Sequence, residues 1–262
     1  LGWRAALALA ALPAIALVPA LLRLREPPRA SKVYAAAPPL SALARMPVFW
    51  WIALSGAVVN FALYSFSAFF PAFLTRFHHL SVARAGVWAG IGTGVAGIAG
   101  ALLAGATGDR FTANFARNRL RMAAAASLAS APLAFAAIAM PSGAVAAAVA
   151  LMMLAYGLLQ TYYGLVYAAM HDVVAPDLRG TAIGAYFVVQ YLGGAAWGPL
   201  VTGRLSDYFA RAAANAGAAA DAARAEGLHQ AMFAIPALAM LLTIVLWAGA
   251  ASTCQTPSKS TK

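Results

Sequence analysis

Seven long apolar runs, separated by polar breaks, set the pattern of this chain. They cover roughly residues 3–22, 48–74, 86–107, 120–140, 143–170, 181–203 and 229–251, each close to the ~20 residues that a helix needs to cross the hydrocarbon core of a bilayer. Two of the breaks are longer than the rest. "RLREPPRASKVYAAAPPLSALARMP" joins the first two runs and is rich in proline and basic residues. "ARAAANAGAAADAARAEG" joins the last two and reads as a loose, Ala-rich connection, either a short helix or none.

Polar positions recur inside the runs with the period of a helix. At ~100° per residue, positions i, i+4, i+7 and i+11 share a face. This places Asn60, Tyr64, Ser67 and Pro71 together in the second run, Tyr156, Gln160, Tyr163 and Tyr167 in the fifth, and Tyr186, Gln190, Gly193 and Trp197 in the sixth. The third run collects Gly90, Gly94, Gly97 and Ala101 in the same way, while the first, fourth and seventh have almost nothing polar at mid-depth. Polar groups in hydrocarbon are expensive, so such stripes face protein or water. They either hydrogen-bond neighbouring helices or line a shared cavity. Three stripes carrying Tyr or Gln favour the cavity, with the polar-poor runs as an outer scaffold. In the sixth run, Gly194 and Gly198 lie about 80–120° from Tyr186. That run is expected to have two faces, one polar and aromatic, the other small and suited to close backbone approach. Gly203 continues the small residues, Pro199 is expected to kink the helix, and the glycine stripe of the third run is the natural partner.

Composition agrees. The chain is 63% hydrophobic and 10% charged, against roughly 25% charged in a soluble domain, which predicts an all-α integral membrane protein with the lipid bilayer as its surroundings. The net charge of +11 sits in the breaks, as membrane topology requires, so no nucleic-acid partner is expected. Alternating the loops puts Arg23, Arg25, Arg29, Lys32, Arg45, Arg110, Arg117, Arg119, Arg121, Arg179, Lys259 and Lys262 on one side, and Arg4, Arg76, Arg84, Arg204, Arg211 and Arg224 on the other. The excess predicts a cytoplasmic linker and C-terminus.

The chemistry of the chain is narrow. Cys254 is the single cysteine, so neither a disulfide nor a cysteine metal cluster is available. His78 and His79 are adjacent and would point apart on a helix, which argues against a metal site. Every carboxylate (Glu26, Asp109, Asp172, Asp177, Asp207, Asp221, Glu226) lies in a loop or near the end of a run. An ionisable group for ion coupling is therefore expected elsewhere, if coupling occurs. No nucleophile–base set or phosphate loop is visible, so no catalytic residue, cofactor or metal is expected. A seven-helix receptor, a retinal protein and a membrane enzyme remain as alternatives. The last run has no lysine for a Schiff base.

Several stretches resemble the major facilitator superfamily. "GATGDR" (Gly105–Arg110), followed by Arg117, Arg119 and Arg121, is similar to its loop signature, "APDLRGTAIG" to the loop before its eleventh helix, "GGAAWGPLVTGRLSD" to that helix, and "GWRAALALAALPAIAL" with "LREPPR" to a sixth helix entering the central loop. The resemblance implies helices six to twelve of a twelve-helix fold: residues 1–25 as the sixth helix, 26–46 as the central cytoplasmic loop, 47–252 as the C-terminal six-helix half and 253–262 as a tail. It implies that the chain, which starts at Leu1 rather than Met, is a piece of a transporter whose N-terminal half is its missing partner. A small organic or amphipathic solute would be moved by alternating access across a bacterial inner membrane. Gly105, Asp109, Arg110, Arg117 and Arg119 would form a cytoplasmic loop lock. "FPAFLTRFHHLSVARAG" further resembles the bacterial spinster-like branch. The stretch "FTANFARNR" departs from the usual glycine-then-basic sequence and implies a longer or looser lock.

Overall fold

The structure, a computed structural model, describes residues 3–24, 41–110 and 115–253. The basic linker, residues 25–40, and the end of the tail lie outside the described residues, so the expected central loop is seen only from Ser41. The described residues form ten α-helices: α1 (Trp3–Leu22), α2 (Ser41–Ala44), α3 (Pro47–Arg76), α4 (Val82–Gly108), α5 (Phe115–Ile138), α6 (Val145–Val173), α7 (Arg179–Gln190), α8 (Trp197–Asn215), α9 (Ala220–Met232) and α10 (Ala234–Ser252). Helix α1 belongs to one unit, Leu1–Ala37, and α2–α10 to a second, Pro38–Lys262. Five spans are long and apolar enough to cross a membrane: α3, α4, α5, α6 and the combined stretch Ala220–Ser252. In lipid the backbone must satisfy its own hydrogen bonds, which is why apolar runs of this length become helices. Helix α1 is apolar beyond Arg4 and contains Pro13 and Pro19.

In the larger unit α4 packs on α6, α6 on α5, α5 on α10 and α10 on α3, while α3 also receives α7 and α8. Two apolar clusters fill the space between them. One is built around Phe49, Ile52, Tyr162, Tyr186 and Leu246, the other around Phe66, Phe70, Phe73, Met152 and Met232.

The sixth run is not the single kinked helix expected of it. Helices α7 and α8 are joined by a π-helical turn, Tyr191–Ala195, in which the Ala196 N–H donates to the Tyr191 carbonyl. Pro199 then falls at the third residue of α8, directly after the wide turn. The residue absorbed by the wide turn shifts the register by ~100°. As a result Ala182, Tyr186, Gln190, Gly194, Gly198, Thr202 and Ser206 are all buried at a spacing of four. The two faces expected from a regular helix are thus one face, and Trp197 is rotated off it, exposed. The Ala-rich stretch takes the helical one of its two alternatives, on both sides of one turn. Gly217 (φ 94°) takes the left-handed position that closes α8, with Ala218 N–H donating to Ala213 and Gly217 N–H to Ala214, the bonding of a Schellman cap.

The glycines of that single face meet α3, not α4. A Cβ at Gly198 would lie 2.5 Å from the Phe61 carbonyl oxygen, and Gly194 sits directly on the Ala57 carbonyl. Gly203 is in ordinary contact with Phe69. The expected pairing with the third-run stripe fails because α4 presents a different row to its neighbour. Gly100 lies on the Gly157 carbonyl of α6, and Gly108 approaches Leu165. Gly90 and Gly94 have nothing within 4 Å of a Cβ position, and Gly97 touches only Gln160. At one end of the bundle, His78 Nδ1 lies 2.9 Å from the Ser142 carbonyl and His229 Nε2 2.9 Å from that of Ile138, with His229 stacked on Phe77. Burial holds His78 below its usual pKa.

These seams predict a contrast. In the full-length protein, Gly198→Leu is expected to lower the thermal melting point in detergent, since overpacking typically costs about 1–3 kcal/mol. Gly90→Ala, which meets nothing, should leave melting unchanged. Equal melting of all three proteins would remove the seam.

Candidate functional site: a tyrosine-lined wall and an arginine hub

Helices α3, α6 and α7 bring their polar residues to one place. The wall rests on a directed chain of hydroxyls. Ser55 donates to its own helix at Ile52 (2.7 Å), so its oxygen accepts from Tyr162 (2.7 Å), and Tyr162 in turn accepts from Tyr186 (3.1 Å). Each hydroxyl carries one proton, so the backbone carbonyl at the end sets the direction of the whole chain. Gly56 makes room for the Tyr186 ring, which would lie 2.7 Å from a Cβ there. Asn60, also buried, donates to the Gly56 carbonyl (3.1 Å) and accepts from Tyr163 (3.4 Å).

Outward from this anchor the rings continue in tilted and edge-to-face contacts. Tyr163 meets Tyr167 at 5.7 Å, Tyr167 meets Tyr186 at 5.6 Å and Phe187 at 6.2 Å, Phe187 meets Tyr191 at 6.1 Å, and Tyr191 meets Tyr64 at 6.2 Å. Tyr64, Phe187 and Tyr191 are exposed, whereas Tyr163 and Tyr167 are half-buried. Gln190 lies beside Tyr167 and is only 1% exposed, yet its Oε1 has no hydrogen-bond partner among the described residues.

Of the ten residues expected to line a cavity, six come together: Asn60, Tyr64, Tyr163, Tyr167, Tyr186 and Gln190. The other four stand elsewhere. Tyr156 packs on Phe66 at 5.2 Å. Gln160 lies against α4 at Gly97 and Gly100, with its Oε1 also unpartnered. Ser67 lines a cleft of about 280 Å³ between α3 and α4, with Phe66, Phe70, Pro71, Gly86, Ala89, Gly90 and Thr93. Trp197 is turned away by the π turn. Ser55, Tyr162, Phe187 and Tyr191 belong to the wall although the stripe rule passed over them. Tyr162 and Tyr191 each neighbour a residue that it selected.

At the opposite end from His78, Arg119 of α5 ties three helices together. It binds Asp172 of α6 at 2.6 Å, approaches Asp109 beyond α4 at 3.8 Å, and donates to the Gly108 carbonyl at 3.4 Å. Its side chain is 13% exposed and that of Asp172 29%, whereas Asp109 is 86% exposed. The principal partner is therefore Asp172, not the Asp109 singled out by the loop signature. Arg110 is exposed and Gly105 meets nothing within 4 Å. Neither Arg110 nor Arg117 has an ion-pair partner among the described residues. Of "FTANFARNR", Phe115–Arg119 opens α5 instead of lengthening a loop, and residues 111–114 lie outside the described residues. Arg179 adds a second tie, donating to the His171 carbonyl at 2.9 Å.

The bundle, the loop signature and the profile of the Major Facilitator Superfamily, which matches residues 1–199, agree. The chain belongs to the Major Facilitator Superfamily. It is 29% identical over 212 residues to an MFS-type efflux pump of Mycolicibacterium smegmatis (strain ATCC 700084 / mc(2)155), a match that covers 79% of this chain and 49% of the pump. Its fold is similar to crystal structures of a bacterial homolog of the human lysosomal transporter Spinster. For the inward-facing, unoccupied form the TM-score is 0.71 at 21% identity, covering 92% of this chain and 58% of that one. For the inward-facing, occupied form it is 0.72 at 22% identity, covering 92% and 56%. The chain thus spans about half the length of the relatives it matches.

The two carboxylates of the hub are predicted to be unequal. Arg119→Gln and Asp172→Asn should each lower thermal stability in detergent, by about 1–3 kcal/mol for a charge-assisted bond. Asp109→Asn should cost no more than the ~0–1 kcal/mol of an exposed pair. A larger loss at Asp109 than at Asp172 would reverse the assignment.

Proposed function

We propose that the full-length protein is a transporter that moves a small organic or amphipathic solute by alternating access, and that this chain supplies one of its two halves. The observation that carries the reading is the tyrosine wall. Five aromatic side chains are left open or half-open beside a buried carboxamide acceptor, on the three helices that converge there. Uncharged rings with a few hydrogen-bonding groups suit a solute that is apolar over most of its surface and carries a donor for Gln190. Family membership supports transport over the receptor and enzyme readings. The other half, with its own helices, would close the wall into a cavity, and the Arg119 hub would hold one closed arrangement at its end of the bundle.

The orientation proposed is that of the positive charge: α2, the hub and the C-terminus on the cytoplasmic side of a bacterial inner membrane. With Cys254 replaced by Ser in the full-length protein, single cysteines are introduced by Ser41→Cys and Ser142→Cys. An impermeant thiol reagent added outside intact cells is expected to label only the Ser142→Cys variant. Labelling of the Ser41→Cys variant instead would invert the topology.

The wall itself is tested by uptake of a panel of radiolabelled amphipathic solutes into vesicles. Gln190→Ala and Tyr163→Phe each remove a polar contact with little change of fold. For a transported solute, the expected outcome is a KM raised by about tenfold, equivalent to one lost hydrogen bond of ~1.4 kcal/mol, at unchanged melting temperature. Lower melting with unchanged KM would make the wall helix-to-helix glue.

A further inference from the structure

Two lipid-facing stripes run side by side along α5 and α10 and end at the same pair of side chains. On α5 the exposed positions include Arg121, Ala125, Leu128, Pro132 and Phe135, and on α10 they include Ala237, Met240, Leu241, Ile244 and Trp247. The helices pack on each other, and the stripes meet where the Arg121 guanidinium lies 5.5 Å from the centre of the Trp247 ring. Towards the other end, Phe135 of α5 sits 5.3 Å from Phe233, the residue before α10. A continuous apolar strip is therefore capped by one guanidinium–indole pair. Trp50 and Trp51, on the first turn of α3, are exposed at this same end, with Trp51 against Gly249 of α10. Indoles gather at the headgroup level of a bilayer, so this belt sets the depth of Arg121. Arg117 lies one turn further out on the same side of α5.

Among the described residues the charge of this corner is uncompensated. Both nearby carboxylates, Asp172 and Asp109, are engaged by Arg119, which points into the bundle. Among the described residues no carboxylate pairs with Arg117 or Arg121. The aromatic contact of Arg121 does not neutralise its charge. Two guanidinium groups at headgroup depth, above an apolar strip, match one kind of occupant. A guanidinium takes a phosphate through two parallel hydrogen bonds, and a fatty chain fills a strip of Leu, Phe, Ile and Met.

We propose that Arg117, Arg121 and Trp247 seat the headgroup of an anionic phospholipid whose acyl chain lies between the outward faces of α5 and α10. The seat shares the first two turns of α5 with Arg119. A bound lipid therefore braces the helix from outside while Asp172 holds it from inside, and occupancy stabilises the hub end of the bundle.

Native mass spectrometry and thermal melting of the full-length protein in maltoside detergent test this. The probes are phosphatidylglycerol, phosphatidylcholine and inorganic phosphate. Phosphatidylglycerol is expected to bind and to raise melting, phosphatidylcholine to do so far less, and phosphate to do neither. Arg117→Gln with Arg121→Gln should weaken phosphatidylglycerol binding by on the order of tenfold or more. Arg76→Gln with Arg84→Gln, at the other end of the bundle, should change it little. Arg117→Lys with Arg121→Lys keeps the charge and loses the fork, so it should fall between wild type and the Gln pair. It also supplies the comparison if the Gln pair does not fold. Equal binding of both lipids, the same stabilisation by phosphate, or Arg-to-Lys and Arg-to-Gln pairs that bind like wild type would each overturn the seat.

Discussion

Between helices in lipid, burying apolar surface gains nothing that the acyl chains do not already offer, so association depends on how closely backbones approach. That constraint organises this bundle. Helix α3 is touched on bare backbone by Gly194 and Gly198, α6 is touched by Gly100 of α4, and Gly227 of α9 comes to 2.5 Å of the Ser206 carbonyl of α8 on a Cβ measure. Each contact puts a glycine against a carbonyl where no side chain fits. The four-residue spacing of the α7–α8 face follows from the same demand. A regular helix would carry the glycines around and off α3, and the π turn returns them to it.

Once the backbones are this close, the polar side chains between them have few places to go. Ser55, Asn60 and Thr202 resolve this by bonding within the seam. Ser55 and Asn60 use carbonyls of their own helix, and Thr202 donates to Ser65 at 3.0 Å. Tyr162 joins through Ser55, and Tyr186 through Tyr162. This explains why the inner part of the wall is rigid in its hydrogen bonding and the outer part is not. Tyr64, Phe187 and Tyr191 are held by ring contacts, with one hydrogen bond between the exposed Tyr64 and Tyr191, and Gln190 keeps an unused acceptor. The division suits a surface in which the inner layer holds position and the outer layer meets a solute.

Much of this was legible in the sequence. The apolar runs became helical, and five of the seven fall in stretches with the length and hydropathy of a span. Six of the stripe residues meet because helices α3, α6 and α7 converge with their polar faces inward. What period counting could not supply was a change of period. Trp197 was placed beside Gln190 by a rule that assumes 3.6 residues per turn, and the π turn broke the rule between them. The Ala-rich stretch looked loose because it is weakly apolar, although alanine is the best helix former. Gly217, in the middle of it, was the readable signal for a helix end. Asp172 was missed because it stands beside His171, far in sequence from the loop signature, and only the packing of α5 on α6 brings it to Arg119.

The distribution of strong and weak contacts along the bundle has a consequence for motion. At the hub end, Arg119 and Arg179 cross-link helix ends through charge-assisted bonds and carbonyls. At the other end, the contacts are His78 on the carbonyl of Ser142, His229 on the last carbonyl of α5 at Ile138, and stacked rings. Between them the seams are glycine on carbonyl, and the crossing of α8 on α3 adds one neutral side-chain bond, Thr202 to Ser65, and the contact of Phe69 with Gly203. Small movement along such a seam breaks one neutral hydrogen bond, whereas the same motion at the hub must break the stronger, charge-assisted bond to Asp172. In a transporter that alternates between arrangements, the barrier contributed by this half would therefore reside at the arginine hub, and the glycine seams would set the direction of movement.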